Sequence, residues 1–496
     1  MGVVRVISQQ TGRWKLVDEA TAAHYFRTGR YISGSPLGDA LADRVRQLSG
    51  LYAGPQKYTN ASEVPWNTPA ISLTGGSAAD VYVIDGKNIR SDNPAVPALY
   101  MDNYQGKVIV KRSNFFGYGE SATAKGVVGS TYNARIEFED CNFWSGNPMV
   151  VNKFAGRSII LEGFRSFKAV NCSHYGTRGI YLTNWIGTAN QADPTAHLLR
   201  NYFRNIDGRR SNPADALGYY RGNVTGVDRD LVQMIQMNNC KGITGALVMD
   251  NEVMNEIMKS NIEDIYSGYL TYGTVGSPIV IDRNLFSGQP IHDAFFDAVL
   301  SEYFGNNMPD GTPGKVDARG YANSGGGGLL GDGKGDNYTL DPAYMRFTRN
   351  TVLGMNNYGL GVAAGHDHTI DGNVILRSGY VRHFARDVKI AWKHGALQLQ
   401  DYYTGGGALI DDGTGTATNR SRWYNVDVTN NRYGYTAFDP RNAGAVTNDG
   451  LLLNSPTRSS AGNTQILNVT RAQEDMADLD HRTLWSAAGV IVGNRI

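Results

Sequence analysis

The chain has 496 residues, too many for one ordinary compact core, so it either divides into domains or extends one core by repetition. Its 47 Lys and Arg nearly cancel 46 Asp and Glu, and no basic stripe is visible, which argues against nucleic acid as the main partner. With 60 Gly, 28 Tyr and only 19% charged residues, it reads as a chain of turns and aromatic surface, with little room for long amphipathic helices.

From Met1 to Gln10 the sequence turns polar at once, without the apolar stretch of a secretory signal. No run approaches the roughly 18 apolar residues of a membrane span, so no membrane partner is expected. Export would then use a leader no longer attached, or assembly into a virion released by lysis, and the expected location is a virion or the extracellular space. Glu19 to Tyr25 and Ser35 to Leu48 read as helices, the second with Leu37, Ala40, Leu41, Val45 and Leu48 at helical spacing and Gly50 just beyond. Residues 1–69 are therefore expected to form an N-terminal cap or an assembly anchor.

From residue 70 a short pattern returns: a small or charged residue, then Asn, then two mostly apolar or aromatic residues. It occurs at Asn114, Asn142, Asn201, Asn251, Asn284, Asn350 and Asn373, with weaker copies at Asn171 and Asn431. The steps from Asn114 to Asn142, Asn171 and Asn201 are 28, 29 and 30 residues by subtraction. From Asn251 to Asn284 the step is 33, and from Asn350 to Asn373 it is 23. A unit of this size with variable insertions is the signature of a solenoid of stacked strands. An Asn at each sharp turn tolerates the left-handed backbone region, and its amide reaches the Asn of the next coil. The predicted strands between are Val108–Val110, Arg135–Phe138, Ser158–Leu161 and Pro278–Ile281. The alternative is a β-sandwich, which leaves the near-constant step unexplained. Cys141, Cys172 and Cys240 are odd in number and far apart, and read as buried free thiols.

The longest departure from the repeat, about residues 287–345, holds a predicted helix from Ile291 to Phe304 and then a Gly- and Asp-rich loop. Insertions in repeat proteins often form the binding face. Residues 70–450 are expected to be the solenoid, and 451–496 a C-terminal cap or oligomerisation segment.

The Asn ladder with coils of this size resembles the pectate-lyase-like superfamily of right-handed parallel β-helices, which includes polysaccharide lyases, polygalacturonase-like hydrolases and phage tailspikes. The resemblance covers roughly residues 70–450. It implies an all-β right-handed parallel β-helix handling a polysaccharide, and a homotrimer as in tailspikes. Polygalacturonase-like members carry Asn-Thr-Asp, Asp-Asp, Gly-His-Gly and Arg-Ile-Lys motifs. Gly365-His366-Asp367 keeps only part of the third, and no Arg-Ile-Lys exists, so that closer assignment fails.

Three sets of residues suit chemistry. His366 and His368, with Asp367 between them, would point the same way on a strand and could bind a metal or serve as acid and base. Polar side chains bonding at a turn would look the same. Asp293 and Asp297 share one face of the predicted helix, and a glycosidase needs two carboxylates flanking its bond, although such acids on an exposed helix are commonly just solvated. Arg382, His383, Arg386, Lys389, Lys393 and His394 suit elimination at a uronic acid, where a cation neutralises the carboxylate and a base takes the proton. Ordinary surface charge explains them too, and more simply. Tyr303, Trp185 and Tyr402 are candidate sugar platforms, with Lys389 and Lys393 beside them as substrate-binding cations; Tyr175, Tyr181, Tyr219, Tyr220 and Tyr403 also sit near turns. The loop with Asp332, Asp336 and Asn337 is a candidate Ca²⁺ site, without the spacing of an EF-hand; no other cofactor or metal is expected. Hydrolysis, elimination and a purely adhesive or structural role all stay open at this point.

Overall fold

The computed structural model describes residues 3–7, 14–18, 58, 60–118, 126–146, 154–188, 193–212, 214, 229–256, 259–288, 326–333, 342–355, 357–380, 382–383, 395–399, 425–438, 446–449, 451–453 and 457–493. Each coil contributes three short strands. They stack into three walls that open with Ile71–Thr74, Val81–Asp85 and Asn88–Arg90 and hold 11, 11 and 12 strands among the described residues. Nearly every strand lies parallel on its counterpart one coil away, as Lys107–Lys111, Arg135–Glu139 and Ser166–Val170 do in the second wall. The chain is thus a right-handed parallel β-helix, the hand that parallel crossovers adopt. All four strands expected from the sequence are present: Lys107–Lys111, Arg135–Glu139, Arg157–Glu162 and Ile279–Asp282. Near the amino end, Val3–Ile7 pairs antiparallel with Trp14–Asp18. The helices expected at 19–25, 35–48 and 291–304 lie outside the described residues.

Because strands pair in register, side chains stack by type. The interior column of the third wall runs Phe115, Phe143, His174, Phe203, Val253 and Phe286. Ring centroids are 5.3 Å apart from Phe115 to Phe143, 4.8 Å from Phe143 to His174 and 4.1 Å from His174 to Phe203. Apolar burial of this kind is the main driving force for stacking coils.

The asparagines form two ladders. Asn201, Asn251, Asn284, Asn350, Asn373, Asn431 and Asn463 are linked amide to amide at 2.8–3.1 Å, as in Asn284 Nδ2 to Asn350 Oδ1 at 2.8 Å and Asn350 Nδ2 to Asn373 Oδ1 at 3.1 Å. Their oxygens also accept the backbone N–H of the preceding coil's Asn. Asn88, Asn114 and Asn142 form a second ladder, one position later in the coil. The expected left-handed conformation belongs to the residue before the principal ladder: Arg200, Asp250, Arg283 and Arg349 have φ between 51° and 59°. Asn171 is itself such a left-handed residue, at φ 55°. Cys172 occupies the principal ladder position one coil before Asn201, its N–H donating to Asn201 Oδ1 at 2.9 Å. All three cysteines are buried and free.

Two straps cover the outside of the third wall. At one end Val64, Tyr58 and Trp66 pack on Phe116 and Trp144. At the other, the helix Arg471–Ala487 starts at the N-cap Thr470, whose hydroxyl accepts the Gln473 N–H. It runs back along the wall and buries Glu474, His481, Arg482 and Trp485, a helical stripe of mostly polar groups. Every one of them is matched. Glu474 accepts from Ser378 N and Oγ, both at 3.0 Å, and His481 lies 2.9 Å from Thr351 Oγ1. Arg482 grips the buried Glu252 carboxylate at 2.9 and 2.8 Å, and Trp485 Nε1 donates to Asp250 at 3.1 Å. The tail then reaches Arg200, where the Gly493 N–H bonds the carbonyl. A Cβ at Gly493 would lie 2.4 Å from Tyr202 Cβ, so only glycine fits that approach.

Candidate functional site

The second outward column of the third wall reads Arg90, Phe116, Trp144, Tyr175, Arg204, Met254, Ser287, Leu353 and Leu376. Its ends are apolar or covered by the straps. Its middle opens into a cavity of about 420 Å³ floored by Trp144, Tyr175 and Arg204, with Asp207, Glu256 and Lys259 from the following corners and Asn60 and Ala61 at the rim. Tyr175 stacks on Trp144 at 5.4 Å with 15° between ring planes and meets Tyr202 edge-on. Trp144 is held from its other side by Trp66. The result is a rigid aromatic floor of which Tyr175 is the half-buried, accessible part.

The charged groups beside it are fixed. Arg204 bonds Glu256 through Nε at 3.3 Å and Nη2 at 3.2 Å, Asn205 Nδ2 donates to the same carboxylate at 2.8 Å, and Lys259 Nζ lies 3.4 Å away. Burial alone would raise the Glu256 pKa, but the Asn205 bond and the Arg204 charge outweigh it and pull it down to about 2. Asp207 is clamped by Arg209 at 2.8 and 2.9 Å. Glu256 is thus a permanent acceptor and holds no proton to donate near neutrality.

Around the next corner lie two carboxyl groups opposite in character to Glu256. Burial pushes Asp264 up to about 7, against the Tyr358 hydroxyl that donates to it at 2.7 Å. Burial also raises its neighbour Glu263, which accepts from Gln233 Nε2 at 2.7 Å. Asp264 is 3% exposed, so this pair belongs to the wall and not to the open cavity. A second open cavity, of about 600 Å³, lies on the second wall beside Glu137, Lys168, Asp193 and His197, and among the described residues no Tyr, Trp or Phe lines it.

Among the described residues expected from sequence, Tyr175 lines the cavity and the others lie apart from it. Asp293, Asp297, Tyr303, Lys389, Lys393 and Tyr402 lie outside the described residues, as do Arg386, His394, Tyr219, Tyr220, Tyr403, Asp336 and Asn337. His366 and His368 do not face the same way, contrary to expectation. Asp367 sits at a corner with φ 54°, which breaks the alternation of a strand. His366 stays at the edge, its Nδ1 2.6 Å from Asp367 Oδ2 and its ring against Tyr344. His368 turns inward, fully buried, and burial lowers its pKa to about 3. Trp185 leans on the interior and donates to the Arg165 carbonyl at 3.3 Å, apart from the cavity. Tyr181 lies under the Arg157 guanidinium. Arg382 and His383 anchor the C-terminal strap: both contact Ser287 Oγ, at 3.1 and 2.8 Å, and Arg382 reaches Glu474 at 3.3 Å. Asp332 accepts the Gly333 N–H at 2.8 Å. Among the described residues, no three His, Cys, Asp or Glu side chains are placed to hold a metal ion, and no helix is long and apolar enough to cross a membrane.

No protein-family profile matches the chain, and no curated protein matches it in sequence. Comparison with solved structures finds similarity to tailspike protein 3 of bacteriophage CBA120, at 11% identity and a TM-score of 0.26 over 93% of this chain. The chain spans 62% of that tailspike's length.

Proposed function

We propose that this β-helix binds a polysaccharide along the third wall, with Tyr175 as the platform for a sugar ring. The supporting observation is the open cavity between the straps, where a braced aromatic face adjoins a row of immobilised polar groups. A sugar presents an apolar face and a rim of hydroxyls, and such a floor meets both. In the finer reading the protein is a tailspike-like depolymerase, a homotrimer working on a virion or outside the cell. Light scattering at micromolar concentration tests the trimer, and a monomer refutes that part. Purified protein is screened against neutral and acidic polysaccharides by affinity electrophoresis, reducing-end release and absorbance of an unsaturated uronate. Retardation that Tyr175→Ala weakens about tenfold supports the groove, that being the worth of a good aromatic contact. Retardation unaffected by Tyr175→Ala refutes it. Retardation without either product marks an adhesive solenoid.

A further inference from the structure

We infer that the groove selects a neutral, hydroxyl-rich glycan and rejects uronate-bearing chains, an inference that rests on the groove being the polymer site. Among the described residues, the charged lining residues are Arg204, Lys259, Asp207 and Glu256, two of each sign, so the described lining carries no net charge. Both cations are already engaged. Arg204 presents Nε and Nη2 to Glu256, and Lys259 Nζ approaches both oxygens of the same carboxylate at 3.4 Å. The Glu256 side chain is only 17% exposed. A sugar carboxylate would have to draw Arg204 away from it, leaving a half-buried anion short of partners beside a second anion, Asp207. Arg204 and Lys259 are 43% and 60% exposed, so the cost falls on the mostly buried carboxylate they would leave, and like charges in a groove repel the wrong ligand. A neutral ring needs no such exchange. Its hydroxyls donate to the fixed carboxylates of Glu256 and Asp207, and charge-assisted bonds of this kind are the stronger ones. Its apolar face lies on Tyr175.

The test is affinity electrophoresis of the purified full chain through gels containing dextran, mixed-linkage β-glucan, polygalacturonate or alginate, at about 50 and about 500 mM NaCl. The expected result is retardation by a neutral glycan that changes less than about twofold with salt, since no ion pair forms with the ligand. The uronans leave mobility unchanged. Glu256→Gln releases Arg204 and Lys259 and is expected to gain salt-sensitive uronan binding while losing about tenfold or more for the neutral glycan. Wild-type retardation by a uronan, tighter at low salt and abolished by Tyr175→Ala, overturns the inference and leaves the polysaccharide reading standing. Retardation by none of the four overturns the polysaccharide reading and the inference with it.

Discussion

Replacing His174 by Phe removes one proton-linked cost of folding. The imidazole is sandwiched between Phe143 and Phe203, is 1% exposed, and neither ring nitrogen has a hydrogen-bond partner. Burial lowers its pKa from 6.5 to about 3. With the folded value depressed, the stability is fully present above the unfolded pKa and is lost as pH falls below it, because only the unfolded chain takes up the proton. Between about pH 7.5 and about pH 5.5 an unfolded His of pKa about 6.5 acquires its proton, so one neutral buried His costs about 1.4 kcal/mol over that window. His368 and His383, at about 3, and His481, at about 4, carry the same sign. The assay is urea unfolding of wild type and His174→Phe at both pH values, followed by fluorescence. Any packing difference between the rings is the same at both and cancels. The variant should lose about 1.4 kcal/mol less than wild type on acidification. Identical pH dependence in the two proteins would refute a neutral His174 in the stack.

Asn284→Ala leaves the Asn251 N–H and the Val248 carbonyl without the amide that serves both, and is expected to cost about 2 kcal/mol in denaturant unfolding. An unchanged midpoint would mean that the ladder carries no stability there. Arg482→Met removes the bidentate partner of the buried Glu252 carboxylate under the C-terminal strap, a loss of about 3–5 kcal/mol, and should make residues 471–493 the first site of limited proteolysis. Protease resistance equal to wild type contradicts the clamp. Asp264→Asn keeps an acceptor for Tyr358 but cannot ionise. Because burial raises the Asp264 pKa from 3.8 to about 7, the variant's advantage in melting temperature should grow across that interval and level off above it. An advantage that does not vary with pH counts against a proton held on Asp264.

The coils were legible because their physics repeats: every corner needs a buried amide, so Asn returns at the spacing of a coil. The register was less legible. Asn114 and Asn201 look alike in sequence, yet Arg112, two residues before the first, and Arg200, one before the second, are the left-handed residues that set the corner. The direction of His368 was hidden for the same reason, since the turn at Asp367 reverses the alternation a strand would give. The C-terminal strap was obscure because it buries a polar stripe: Glu474, His481 and Arg482 look like a solvated helix face until Ser378, Thr351 and Glu252 supply their partners. The groove draws on Trp144, Tyr175, Arg204 and Glu256, one from each of four coils, so no local motif marks it. Aligned in register, the third-wall column from Phe116 to Leu376 would have revealed it, as the stretch where aromatic and charged residues interrupt apolar ones.

The most direct test is a crystal structure of the protein with an oligosaccharide cut from whichever polysaccharide retards it. A sugar ring is expected to lie on Tyr175, with hydroxyls bonded to Glu256 and Asp207. A ligand seated instead in the second-wall cavity, beside Lys168 and His197 with Tyr175 untouched, would contradict it.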